Sequence, residues 1–253
     1  MAHKLILLRK LFLFGAFIVL LTSCEERINI EDYYFPREKL ETKGMVYEYR
    51  SSGEIPLPTI YWYYYGTWEN RDIFLNGIYM ESDFIPRQMV KEEFIKTGIL
   101  LDSITIAMPD SLNKMSTVSG EVLVGNVFPY SVVEDGGIFL YKVKFDIPDG
   151  SGNTATLIKN RQYATDTIFN FNNVMYDCVK FDVKELVEYG NDAEGYTEPP
   201  FSGFELYAKS IGLVHYEKQT EDGPFMSYTL HKRYPLEEAH VFLREELLKL
   251  GIK

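Results

Sequence analysis

From Gly44 onward the chain alternates apolar and polar residues with a period of two. The clearest stretch is 138–147. There Phe139, Tyr141, Val143, Phe145 and Ile147 share one face, and Lys142, Lys144 and Asp146 share the other. That period predicts a strand with one face in the core and one in water. Further strands are expected over 45–49, 60–65, 73–80, 99–108, 154–158, 163–171, 174–183, 204–216 and 225–230. Another is expected over 118–127, with Gly125 as a bulge. Asn76-Gly77 reads as a hairpin turn within 73–80. Residues 86–96 fit either a strand or irregular chain, and 188–200 reads as the longest exposed loop. The helical period appears at the end: Leu236, Ala239, Leu243, Leu247 and Leu250 fall on one face, with Pro235 in the first turn and Gly251 at the stop. Strands at roughly ten-residue spacing with one such helix predict a mainly β fold. The expected form is a curled antiparallel sheet, half-barrel-like or sandwich, with one C-terminal amphipathic helix.

The first 24 residues break this pattern. Lys4, Arg9 and Lys10 precede an apolar run over 11–21. A basic start followed by a short apolar core is a secretory signal, and the run is shorter than the ~20 residues of a spanning helix. It ends in Leu21-Thr22-Ser23-Cys24, which resembles the lipobox of bacterial lipoproteins. The resemblance implies a diacylglyceryl group on the Cys24 thiol and cleavage just before it, so the membrane is a partner through Cys24. Glu25 and Glu26 do not place an Asp at the second position, the residue linked to inner-membrane retention, so the resemblance implies the outer membrane with the leaflet open. The expected organisation is a signal peptide at 1–23, a lipidated tether at 24–39, and one β-rich domain at 40–253 with its terminal helix at 235–250.

Composition narrows the function classes. The chain has 19 Tyr and 17 Phe, which favour strands. Its net charge is −11, and the part beyond the basic leader is more acidic still. Such a chain is a poor partner for nucleic acid. With Cys24 committed to lipid, Cys178 stands alone, so no internal disulfide is expected; its strand-like surroundings predict a buried thiol.

Residues 205–217 read Glu-Leu-Tyr-Ala-Lys-Ser-Ile-Gly-Leu-Val-His-Tyr-Glu. They are similar to the Y-A-x-G-(I/V)-G-x-V-x hairpin of periplasmic lipoproteins with a convex half-barrel sheet, and residues 178–180 resemble another strand of that pattern. Ser210 stands where the pattern has Gly. The resemblance implies a fold, with lipoprotein carriers as distant structural relatives, and supplies no catalytic residues.

Candidate chemistry is sparse. His215, His231 and His240 lack metal-ligand spacing. Asp149, Ser151 and Asn153 alternate as in a calcium loop, but Thr154 and Asn160 occupy positions that need Gly and Glu, so a turn is expected. Residues 191–194 are a weak surface calcium candidate. No metal or cofactor is expected, and no nucleophile elbow or nucleotide-binding loop is present. Tyr61, Trp62, Tyr63, Tyr64, Tyr65 and Trp68 form a run that is aromatic on both faces: strand core, or a surface for a ligand or partner.

The leading expectation is a non-enzymatic outer-membrane lipoprotein. It would bind an apolar or amphipathic ligand, or an envelope protein, in a concave cavity walled by strand aromatics and partly closed by Leu243 and Leu247. One alternative is a structural or assembly subunit with a filled interior and an exposed aromatic patch near 61–68. The other is a glycan-acting hydrolase with two facing carboxylates.

Overall fold

The computed structural model describes residues 27–252 apart from 54, 55, 135, 192–194, 198, 199, 221, 222 and 224. The leader, Cys24 and the 192–194 calcium candidate lie outside the described residues. Strands β2 (Met45–Ser51), β3 (Ile60–Glu69), β4 (Asp72–Met80), β5 (Pro86–Ile95) and β6 (Gly98–Pro109) run as an antiparallel meander. It continues through β8 (Glu121–Pro129), β10 (Phe139–Asp146), β11 (Thr154–Phe171), β12 (Val174–Asn191), β14 (Pro200–Ala208), β15 (Gly212–Thr220) and β16 (Phe225–Pro235). Because β16 pairs back onto β2, these twelve strands close into a barrel. The expected half-barrel or sandwich is thus a full circle, and closure removes the free edges that an open sheet must protect. Short strands β1 (Ile28–Asn29) and β9 (Ser131–Val132) pair with each other, β7 (Met115–Ser119) lies on β6, and β13 (Gly195–Thr197) lies on β12.

Several expected boundaries move. Asn76 and Gly77 sit inside β4, and the turn falls at Asn70-Arg71, both at positive φ. A Cβ at Gly77 would come within 3.0 Å of Tyr64 and Val90, so packing rather than turning selects glycine there. The two strands expected over 154–171 are one, β11. The 188–200 stretch is mostly strand, divided among β12, β13 and β14. Residues 118–127 are divided between β7 and β8 at Gly120.

A circle of twelve strands is wider than its own side chains fill; about eight is the size at which they do. The chain fills one end with its N-terminal segment, so residues 27–39 of the tether expected at 24–39 are not a free linker. After β1, a 3-10 turn (Glu31–Tyr33) directs Tyr34 and Phe35 into the barrel, and helix α1 (Arg37–Lys43) follows with Leu40 buried. The Phe35 ring lies 4.1 Å from Tyr64 and 5.4 Å from Tyr47; Tyr34 lies 4.8 Å from Phe128. Ser210, at φ 60°, gives its N–H to Asp32 O at 2.8 Å. That left-handed backbone is the conformation glycine adopts most readily, which is why the similar hairpins carry Gly at this place.

The C-terminal helix α2 (Val241–Lys249) is shorter than the expected 235–250, because Leu236–Glu238 form a separate 3-10 turn. It packs on the outside of the barrel. Ala239, Leu243 and Leu247 meet Val46, Tyr63, Ile78 and Met80 in a cluster distinct from the interior core. Elsewhere the outer wall is charged, as at Lys142, which approaches Glu188, and Lys180, which approaches Asp182. An apolar inside and charged outside is the reverse of a transmembrane barrel. Among the described residues, no helix is long and apolar enough to cross a membrane.

Candidate functional site

The lumen beyond the plug holds a cavity of about 430 Å³. Tyr34 and Phe35 form its floor, while Trp62, Tyr64, Tyr79, Tyr141, Tyr207 and Tyr216 contribute aromatic wall. Exposure rises from the floor toward the opposite end of the barrel. Tyr34, Phe35 and Tyr207 are buried, whereas Tyr79, Gln88, Leu157 and Lys218 are partly exposed. The cavity therefore opens at the end that carries the β4–β5, β10–β11 and β15–β16 connections.

A chain of charges crosses the lumen. Lys218 Nζ lies 2.6 Å from Glu185 Oε2, and Lys159 Nζ lies 2.7 Å from Glu185 Oε1 and 2.5 Å from Glu205 Oε1. Arg161 Nε donates to Glu205 Oε2 at 2.7 Å, and its Nη1 donates to Val127 O at 3.2 Å. The Tyr207 hydroxyl also donates to Glu205, at 2.9 Å. Lys159, Arg161, Glu185 and Glu205 are all buried. Burial alone would raise the Glu185 carboxyl, but Lys159 and Lys218 outweigh it and bring it down to about 2. Glu205 is likewise held low by Arg161 and Lys159 against its burial. Lys218 is lowered, by burial first and then by the neighbouring Lys159 charge.

Glu92 stands apart from this chain. It is buried and accepts the Tyr34 hydroxyl at 2.5 Å. Burial pushes its carboxyl up to about 7; the Tyr34 bond and the more distant Arg161 only partly oppose the rise. The folded protein therefore keeps a proton on Glu92 that the unfolded chain releases at about 4.5. The contribution is fully present below that pH and is lost as pH rises through about 7. Glu92→Gln keeps an acceptor for Tyr34 and removes the charge. At pH 8 the variant is expected to be more stable by on the order of 2–3 kcal/mol, and equal to the parent at pH 4. Chemical denaturation at the two pH values measures this; an equal gain at both would show that the charge is not the cause.

The expected site residues divide by face. Trp62 and Tyr64 line the cavity. Tyr63 is covered by α2, Tyr61 and Tyr65 border the same outer cluster, and Trp68 is 58% exposed near the plug, with the Arg37 guanidinium of α1 5.8 Å from its ring. The run is aromatic on both faces because the barrel wall is packed from both sides there. Leu243 and Leu247 are fully buried on the exterior and do not close the cavity. The lumen charges were missed in the sequence. Their signal was a charged residue at an inward position of an otherwise apolar strand face, repeated in β5, β11, β12, β14 and β15.

The other candidates take structural roles. Cys178 is buried and its thiol is pushed up to about 12, chiefly by burial. His215 bonds Thr229 at 2.8 Å and Glu217 at 3.1 Å, and among the described residues no cluster of three metal-ligating groups occurs. Asp149 accepts the Ser151 N–H at 2.8 Å in a turn with Gly150 and Gly152 at positive φ.

No family model and no curated protein matches this chain. Among solved structures it is similar to a protein of Parabacteroides distasonis ATCC 8503 described as a "putative lipoprotein", at 12% identity and a TM-score of 0.48 over 78% of this chain and 95% of that one. It is also similar to a protein of Bacteroides fragilis NCTC 9343 described as a "putative exported protein with YmcC-like fold", at 14% identity and a TM-score of 0.48 over 79% and 98%. Both are likenesses of overall shape at low identity, and the reading of the site rests on its own residues.

Proposed function

We propose that this chain is a non-enzymatic, lipid-anchored protein of the cell envelope that holds an amphipathic ligand inside its barrel. The observation that carries the reading is the cavity of about 430 Å³. Its volume falls in the usual range for small-molecule sites, and it combines aromatic walls with a few convergent charges. The leader and Cys24 support export and anchoring at the outer membrane. The hydrolase alternative is less favoured. Glu92 has the raised pKa of a general acid, but Glu185 and Glu205 are each held by two cations, which leaves neither as a free base or nucleophile. The assembly-subunit alternative calls for a filled interior and an exposed aromatic patch; of the six aromatics at 61–68, only Trp68 is exposed.

The test is native mass spectrometry of the full chain, produced with its own leader in a diderm bacterium. The expected spectrum shows a non-covalent, lipid-sized mass beyond the acylated polypeptide. Leu157→Trp, which fills the partly exposed cavity wall, removes that mass. Leu243→Ala, on the exterior, costs about 2–3 kcal/mol of stability and leaves it in place. A bare acylated polypeptide, even after incubation with total envelope lipid, would overturn the reading.

A further inference from the structure

The charged groups of the lumen are unevenly paired. The chain Lys218–Glu185–Lys159–Glu205–Arg161 begins and ends with a cation, so three cationic side chains share two carboxylates. The third lumen carboxyl, Glu92, is engaged by Tyr34 rather than by any of these cations, and burial favours its neutral form. A cation in an aromatic-walled space is costly unless it is paired and hydrogen-bonded, so one that shares its anion gains from a further acceptor.

The two cationic ends differ. Arg161 is buried, forked onto Glu205 and capped by Val127 O. Lys218 is partly exposed on the open side of the cavity, and among the described residues its hydrogen bond is to Glu185, an anion it shares with Lys159. An ammonium group has three donors, so Lys218 retains capacity for a second acceptor. Trp62, Tyr79 and Tyr216 line the same cavity and present apolar ring surface.

Resting on the reading of the lumen as a ligand site, we propose that the ligand is a singly charged, carboxylate-headed amphiphile of the fatty-acid type. Its acid head sits on Lys218 at the mouth-side end of the charge chain, and its apolar body lies along Trp62, Tyr79 and Tyr216. The head supplies Lys218 with an anion it does not share, and the rings dehydrate the tail.

The test uses the full chain carrying Trp68→Phe, so that Trp62 is its one tryptophan, held in phosphatidylcholine nanodiscs. Emission from Trp62 is titrated with 12-bromododecanoic acid and with 12-bromododecanol, whose bromine quenches a neighbouring indole. The expected result is saturable quenching by both, with the acid binding about tenfold more tightly, the equivalent of one charge-assisted hydrogen bond. Lys218→Met reduces that preference to less than about threefold, and Lys218→Arg preserves it. Equal binding of acid and alcohol to the parent chain would overturn the proposal and leave the lumen reading standing. Quenching by neither would remove the lumen reading itself.

Discussion

Glu205→Gln is expected to destabilise the barrel by about 3–5 kcal/mol, because it strands buried cations rather than merely removing a contact. Among the described residues, Glu205 is the single carboxylate bonded to Arg161 and one of the two bonded to Lys159. With Gln at 205, an amide oxygen and Val127 O remain as acceptors for Arg161, but the carboxylate charge that balances the buried guanidinium and is shared with Lys159 is gone. For a chain of this size the loss corresponds to a fall in Tm of on the order of 10 °C. A second change identifies the cause. Arg161→Met on the Glu205→Gln background removes the stranded charge and is expected to recover more than half of the loss. Thermal unfolding of the four members of the cycle gives the coupling directly. Additive losses, or a single loss below about 1 kcal/mol, would show that the pair does not act as a unit. The pH dependence has the opposite sign to that of Glu92. Glu185 and Glu205 have lowered pKa values, so their stabilisation is present above the ordinary value of 4.5 and is lost as pH falls toward 2.

Phe35→Ala is the second large effect, at about 3–5 kcal/mol. Phe35 is buried, its ring packs against Tyr34, Tyr47 and Tyr64, and a Cβ added at Gly212 would meet it at 2.6 Å. Its loss opens a void at the base of the cavity, where rigid strands on every side restrict collapse. The expected outcome is lower stability together with an enlarged lumen. Limited proteolysis distinguishes the two consequences. If the plug is a folded part of the barrel, cleavage within α1 is slow in the parent chain and fast in the variant. Equal, rapid cleavage in both would return this segment to the tether role that its composition suggests.

The sequence made the strands legible wherever one face was uniformly apolar, as in β10, where Phe139, Tyr141, Val143 and Phe145 turn inward as expected. It failed where the inner face is itself polar. Lys159-Asn160-Arg161-Gln162 looks like a break between two strands, yet Lys159 and Arg161 occupy inward positions of the continuous β11 between Leu157 and Tyr163. Their charges are matched by Glu185 and Glu205 from other strands, and a match across the barrel is invisible to a local window. The same cause hid the plug. Ile30, Tyr34, Phe35 and Leu40 are all buried, but they follow no strand or helix period because the chain turns between them. The run at 61–65 was legible as aromatic on both faces, and which residues faced the lumen became clear only from the register with β2 and β4.

Closure of the barrel through β2 and β16 also sets an order of events during folding. Most neighbouring strands are also consecutive in the chain, so the meander from β2 to β6 can form from local pairings as soon as those residues are free. The seam is different: Met45 pairs with Pro235 and Arg50 with Thr229. Contacts that distant in sequence are slow to form, because the loop entropy is lost before any pairing offsets it. A chain is made from its N-terminus, so β2 waits with an unpaired edge until β16 arrives. During that interval the edge is open to pairing with other chains, and the time needed to complete the chain through β16, rather than the stability of any one hairpin, sets how long it is exposed.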